Sequence, residues 1–247
     1  MRKIIFATYS IIAYLIFLIA FFYAIGFVGN LYVPKSIDSG TATTFFTALI
    51  VNILLLSIFA IQHSVMARPA FKKWLNSIIS PAIERSTYVL LSSLTLFLIY
   101  WQWQPITTIV WKIENETMAT ILTGLFFFGW LLALLSTFMI NHFELFGLKQ
   151  VLNNLKDKFA TTEKPKFQAN FLYKIVRHPI MLGYLIAFWS TPLMTVGHLL
   201  FTIITTLYIF VAVKYLEEKD LKNSIGKAYK DYQNKVPMVI PFTKRRK

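Results

Sequence analysis

An Arg, a His and two adjacent carboxylates recur in the last third of the chain. They lie in Tyr173-x3-Arg177-His178-Pro179-x3-Gly183 and Glu217-Glu218-x2-Leu221, which precede Gly226-x2-Tyr229-x2-Tyr232-x3-Val236-Pro237. These side chains suit a zwitterionic ligand. A guanidinium grips a carboxylate through two parallel hydrogen bonds, and a carboxylate accepts from an ammonium. The interval from Ile180 to Val213 is almost wholly apolar, with breaks at Pro192 and Gly197. Such a run reads as two helices that enter a bilayer and return, so that Arg177, His178, Glu217 and Glu218 end at one membrane face.

His63, His142 and Glu144 form a second set of candidates, each near the end of another apolar run. Ionisable groups close to a membrane interior are costly to place, and each is a candidate for proton transfer. His63 and His142 also suit hydrogen bonds between helices. His142-x-Glu144 offers two metal ligands without a third at a clear spacing, so no metal is expected. The chain has no Cys, which excludes disulfides, thiolate metal sites and a thiol nucleophile. No Gly-x-Gly-x-x-Gly follows a strand, which argues against a soluble dinucleotide-type cofactor site.

The elements that must position these groups are membrane helices. Of the 247 residues 56% are hydrophobic and 15% charged, with a mean hydropathy of +0.58. Ordinary soluble domains are less apolar and more charged. Apolar runs cover Ile4 to Val28, Thr43 to Val65, Thr87 to Tyr100 and Met118 to Ile140, and with the hairpin they predict an all-α polytopic bundle of five to six spans, the last two short. The first run is too long for a signal-peptide core and is expected to be retained. Among the 25 Lys and Arg, all but Lys35 and Lys112 fall on the side shared by both termini in a six-span arrangement. That bias predicts cytoplasmic N- and C-termini, and it accounts for the +14 charge by topology and lipid attraction rather than by nucleic-acid binding. The polar stretch Leu152 to Lys174 reads as a cytoplasmic lid or connector. From Lys214 to Tyr232, the helical spacing of Leu216, Leu221, Ile225, Tyr229 and Tyr232 predicts that the last span continues as one amphipathic helix. His198, after Gly197 in the hairpin turn, is expected to be solvated or interfacial. The basic run Lys244 to Lys247 reads as a solvated tail. The whole is one membrane domain: four helices over 1–142, a connector over 143–179, and a hairpin with the cofactor module over 180–247.

The ordered set of Arg-His-Pro, Glu-Glu-x-x-Leu and Gly-x2-Tyr-x2-Tyr-x3-Val-Pro resembles the isoprenylcysteine carboxyl methyltransferase superfamily of integral membrane methyltransferases. Further segments resemble its bacterial thiol-methylating members: Gln62-His63-Ser64-Val65-Met66-Ala67-Arg68-Pro69, Glu84-Arg85-Ser86-Thr87-Tyr88, Trp101-Gln102-Trp103, Asn141 to Leu148 and Phe188 to Pro192. The resemblance implies S-adenosyl-L-methionine as cofactor and methyl transfer to methanethiol with release of dimethyl sulfide, in a bacterial inner membrane. It also assigns Tyr173, His178 and Pro179 to cofactor contact, Glu217 to the cofactor's polar end, and Gln150 to a further cofactor contact. Arg177 and Glu218 join this set by charge, and Tyr184 as an aromatic face for a sulfonium. Two positions depart from the pattern. Met181 stands where the superfamily has an aromatic residue, and Val213 stands where its carboxyl methyltransferases have an Arg, which argues against a carboxylate acceptor. Hydrogen sulfide, a prenylcysteine or a lipid amine as acceptor, and a non-enzymatic transporter, are the alternatives left open.

Overall fold

In the computed structural model, residues 1–157 and 170–244 are described. The stretch 158–169, within the expected connector, and 245–247, within the expected basic tail, lie outside the described residues. Five helices are long and apolar enough to cross a membrane: α1 (Arg2–Gly29), α2 (Phe45–Met66), α4 (Pro81–Gln102), α5 (Glu116–Ile140), and a run from Val196 to Ile225 that comprises α9 (Val196–Val211), a π-helical turn (Ala212–Glu217) and α10 (Glu218–Ile225). The chain is thus a multi-pass helical membrane protein. Shorter helices are α3 (Pro69–Leu75), α6 (His142–Leu145), α7 (Leu148–Leu155), α8 (Pro179–Trp189) and α11 (Lys227–Lys235). Large apolar side chains on the long helices face outward, among them Ile11, Leu15, Phe22, Ile50, Phe128 and Leu207. In water such a surface would be a liability; in hydrocarbon it is the solvent-matched face.

Local sequence sets the helix ends. Ser80 and Pro81 begin α4, with the Ser80 hydroxyl accepting from Ala82 N and Pro81 in the first turn, where its missing N–H costs nothing. Asn30 ends α1 in the left-handed conformation (φ 55°), its N–H bonded to Gly26 O. The α8 leg of the expected hairpin has 11 residues and the α9–α10 leg 30. At 1.5 Å per residue only the second is long enough to cross the hydrocarbon core, which corrects the expectation of two short legs. A strand at Ile109–Lys112 (β1) and one at Leu193–Thr195 (β2) form a two-stranded sheet at the turn of this hairpin. The expected continuous C-terminal helix is two helices, because Gly226 takes φ 74° and ψ −133° between α10 and α11. An L side chain rarely adopts that conformation. His198 is fully buried, not solvated.

Two compact units arise from non-contiguous segments. The first comprises residues 1–108, 141–157 and 195–201; the second comprises 109–140, 170–194 and 202–244. In the first unit α1 and α2 pack on α4, and α7 packs on α1 and α4. The fully buried Asn52 is paired on both sides of its amide: its Nδ2 donates to Gln104 O at 2.8 Å and its Oδ1 accepts from Gln104 N at 2.9 Å. In the second unit α5 packs against α8 through two small-x3-small motifs, Gly129-x3-Ala133 and Gly183-x3-Ala187. A Cβ on Gly129 would stand 2.5 Å from Ala187 N, and one on Gly183 would stand 2.6 Å from Ala133 N. With lipid on both sides, such backbone approach supplies dispersion contacts that large side chains would prevent.

Candidate functional site

The second unit assembles the Arg-His-Pro segment, the Glu pair and the C-terminal tail into one cluster. Pro179 sets the first turn of α8, which leaves Arg177 and His178 outside the helix, and their N–H groups donate to Pro237 O (2.9 Å) and Met238 O (3.0 Å). The Val236-Pro237 tail is thereby laid alongside the triplet. Glu218 is buried and accepts from Arg177 Nε at 2.6 Å, from Gln233 Nε2 at 2.7 Å and from the Tyr229 hydroxyl at 3.5 Å; His178 Nε2 lies 3.2 Å from the same carboxylate. Arg177 Nη1 donates to the carbonyl oxygens of Gln233 and Val236. Glu217 has a different place. Its carboxylate is 46% exposed and sits 3.5 Å from His178 Nδ1.

The π-helical turn explains why two adjacent acids differ so much. It ends at Glu217 and so shifts the register of α10, with Glu218 turned into the protein and Glu217 outward. Such turns insert a residue into a helix and recur at functional sites. Val213 in the same turn is buried, whereas the Lys214 ammonium lies over the Tyr215 ring at 5.1 Å. Lys214 therefore does not take the direction of Val213.

Burial alone would lower the His178 pKa, but hydrogen bonds and charge from Glu217 and Glu218 outweigh it and raise it to about 9. At neutral pH the imidazolium donates from both nitrogens, one toward each carboxylate. Tyr173 is pushed up by burial and then by the charge of Glu217, and Tyr232 is pushed up to about 12, chiefly by burial. Both are neutral phenols. The Tyr232 hydroxyl donates to Tyr173 O at 2.5 Å, and the Tyr173 hydroxyl donates to Ser136 O at 3.4 Å. These tyrosines tie α11 to the Tyr173 turn and that turn to α5.

The geometry redistributes the residues nominated from sequence. His178 and Glu217 do meet. Arg177 and Glu218, nominated as ligand groups, spend Arg177 Nε and Nη1 and both carboxylate oxygens on partners within the chain. They read as the frame that fixes His178. Tyr184 packs at the α5–α8 contact, edge-on to Trp130 and stacked with Phe188. Gln233 was missed. Its side chain and carbonyl are both in the cluster, and the signal for it is modest: it follows Tyr232 directly, on the face that meets Arg177.

His63, His142, Glu144 and Gln150 belong to the first unit. His63 Nε2 lies 2.8 Å from the Tyr88 hydroxyl and Nδ1 3.2 Å from Ser92 Oγ, which ties α2 to α4. His142 is buried, with Nε2 at 2.7 Å from the Tyr14 hydroxyl, and burial lowers its pKa. The Glu144 carboxylate accepts from Asn141 Nδ2 at 2.8 Å and from Lys149 Nζ at 2.7 Å and is half-exposed. Gln150 Nε2 donates to Glu144 O at 3.0 Å. Tyr14 and Tyr88, the histidines' partners, were not nominated from sequence. Among the described residues, no three His, Asp or Glu side chains stand close enough to share a metal ion.

Residues 49–236 match the family model described as "NnrU protein". The chain is 53% identical over 234 residues to a protein named methanethiol S-methyltransferase 1 from Bradyrhizobium diazoefficiens, covering 95% of this chain and 81% of that one. It is 49% identical over 245 residues to the methanethiol S-methyltransferase of Mycobacterium tuberculosis, covering 99% of both. Nurim from Mus musculus is 30% identical over 177 residues, covering 69% of this chain and 67% of that one. No solved structure matches the chain.

Proposed function

This chain belongs to the NnrU protein family, and from that premise we propose that it methylates methanethiol to dimethyl sulfide with S-adenosyl-L-methionine as methyl donor. The observation that carries the reading is the 49% identity to a methanethiol S-methyltransferase across 99% of both chains. S-adenosylmethionine supplies a methyl carbon bonded to a positively charged sulfur. The half-exposed Glu217 carboxylate fits the donor's ammonium, while Arg177 Nε and Nη1, already bonded inside the protein, do not fit its carboxylate. Glu217 therefore binds the polar end, His178 orients Glu217, and the Arg177–Glu218 pair holds His178. Tyr173 and Pro179 complete the contacts within this unit on this reading, and Tyr184 acts through packing. Val213 removes the cation that a carboxylate acceptor would need.

The acceptor is small, neutral and apolar, and partitions into the bilayer. Methyl transfer to it needs an unhydrated sulfur held in line with the methyl carbon, which a helix-lined membrane site favours through positioning and exclusion of water. The thiol must also lose its proton. A free thiol has a pKa near roughly 8.5 or above, so a base is required at neutral pH. We assign that role to His142 rather than to Glu144, whose carboxylate is taken by Lys149 and Asn141. The bias of Lys and Arg supports cytoplasmic termini in a bacterial inner membrane, an arrangement in which the short α8 and the extended segment after it together return the chain across the bilayer. Headspace gas chromatography of cells that express the chain and are fed methanethiol tests the assignment. Dimethyl sulfide above the vector control is expected. Its absence, in protein that binds S-adenosylhomocysteine by titration calorimetry, would remove methanethiol as the acceptor.

A further inference from the structure

Within the second unit the C-terminal segment passes from the buried cluster to an exposed tip. Val236, Pro237 and Val239 are buried, and Pro237 O and Met238 O are pinned by the N–H groups of Arg177 and His178. This point stands at a membrane boundary. The apolar helix α8 begins at Pro179 and runs antiparallel to α5, with Gly183 against Ala133 and Ala187 against Gly129, so its first turn lies near Ile140, where the α5 span ends. Phe242 is four residues beyond Met238 and therefore at most about 14 Å from it. Ile240 is 52% exposed and Phe242 94%, and the Thr243 hydroxyl donates to Ile240 O at 2.8 Å, which closes the tip into a turn. Positive charge flanks these two side chains. Lys227, Lys230 and Lys235 are exposed on α11 against one acid, Asp231, and exposed Lys244, whose ammonium donates to Gln233 O, opens the run continued in sequence by Arg245, Arg246 and Lys247.

We propose that the tip, residues 240–244, docks on the anionic phospholipid headgroups of the protein's own membrane. In the docked state the Phe242 ring and the Ile240 side chain sit among the headgroups and Lys244 meets their phosphates, the combination of apolar and basic groups that draws a segment onto an anionic bilayer. Free phosphate would satisfy the charge and leave both apolar side chains in water. The docking has a consequence for the buried cluster. Because the chain from Val236 to Val239 joins the tip to Arg177 and His178, a tip held at the bilayer keeps Pro237 O and Met238 O on those N–H groups and limits fraying of the chain end. The surface acts whichever methyl acceptor the protein takes, and so it does not depend on the reaction assigned above.

The test places full-length protein with Phe242→p-benzoylphenylalanine in nanodiscs of phosphatidylcholine, with or without phosphatidylglycerol, and identifies the photo-crosslinked adduct by mass spectrometry. Phosphatidylglycerol adducts in excess of that lipid's share of the bilayer are expected. Lys244→Gln should lower their yield about fivefold, the factor that one basic residue contributes at an anionic surface. In protein with the native tip, hydrogen exchange of the Arg177 and His178 amides should be slower with phosphatidylglycerol than without it, and Ile240→Ser combined with Phe242→Ser should abolish the difference. Adducts to protein, whether the same chain or a second copy, adducts that merely follow lipid abundance, or exchange indifferent to phosphatidylglycerol would overturn the docking. Both readouts are independent of methyl transfer, so a failed docking and a failed thiol assignment are separately visible.

Discussion

The two polar regions of this protein are built on opposite electrostatic plans. In the second unit, Arg177, His178, Glu217 and Glu218 form a four-charge cluster closed by Tyr229 and Gln233, and three of the four are buried. In the first unit, Tyr14–His142 and Tyr88–His63 are phenol–imidazole pairs without a carboxylate partner among the contacts named above, beside Met, Phe and Val side chains. A charged cluster must be complete, because a buried ion without its partner is severely penalised; a neutral pair can lose one hydrogen bond at modest cost. The difference corresponds to the two proposed ligands. A zwitterionic donor calls for a fixed carboxylate at the water boundary, whereas a small thiol calls for an apolar surface with a weak, neutral base.

The largest effect separating the two plans is expected from Glu218→Ala. It leaves Arg177 and His178 buried without their shared carboxylate, and thermal unfolding in detergent should show a loss on the order of 3–5 kcal/mol. The same cluster predicts a pH response. The His178 pKa is raised in the folded protein to about 9, above the ordinary value of 6.5, so its contribution is fully present below about pH 6.5 and is lost as the pH rises through about 9. Melting temperature should fall across that window, and His178→Asn should flatten the fall. A next, smaller effect comes from Gly183→Leu, which drives a side chain into Ala133 and Gly129 of α5 and should cost about 1–3 kcal/mol in the same assay. Glu217→Gln should leave stability nearly unchanged yet weaken S-adenosylhomocysteine about tenfold by calorimetry, equivalent to about 1.4 kcal/mol. The smallest change is expected in the neutral region: Tyr88→Phe removes its hydroxyl's bond to His63 and should cost about 0.5–1.5 kcal/mol. Equal losses from Glu218→Ala and Tyr88→Phe would erase the distinction.

Much of the scaffold was legible because a bilayer demands long apolar runs, and α1, α2 and α5 match the runs read from sequence to within a few residues. Helix α4 starts six residues before the expected Thr87, since its first turns carry Glu84 and Arg85 and carry little apolar signal. Gly226 hid its break inside a pattern that keeps helical spacing on either side. In the site, residue types were legible and their partners were not. Arg177 pairs with an acid 41 positions away, and which of two adjacent glutamates takes that place depends on the π-helical turn. Tyr14 is 128 positions from His142 and sits among apolar neighbours that give it no distinguishing context.

The most direct measurement uses purified protein in nanodiscs with unlabelled methanethiol and S-adenosylmethionine carrying a deuterated methyl group, with headspace mass spectrometry of the product. The account predicts dimethyl sulfide that holds one deuterated and one ordinary methyl group, formed in proportion to the S-adenosylhomocysteine released. Dimethyl sulfide without the label, or release of S-adenosylhomocysteine with no dimethyl sulfide, would contradict it.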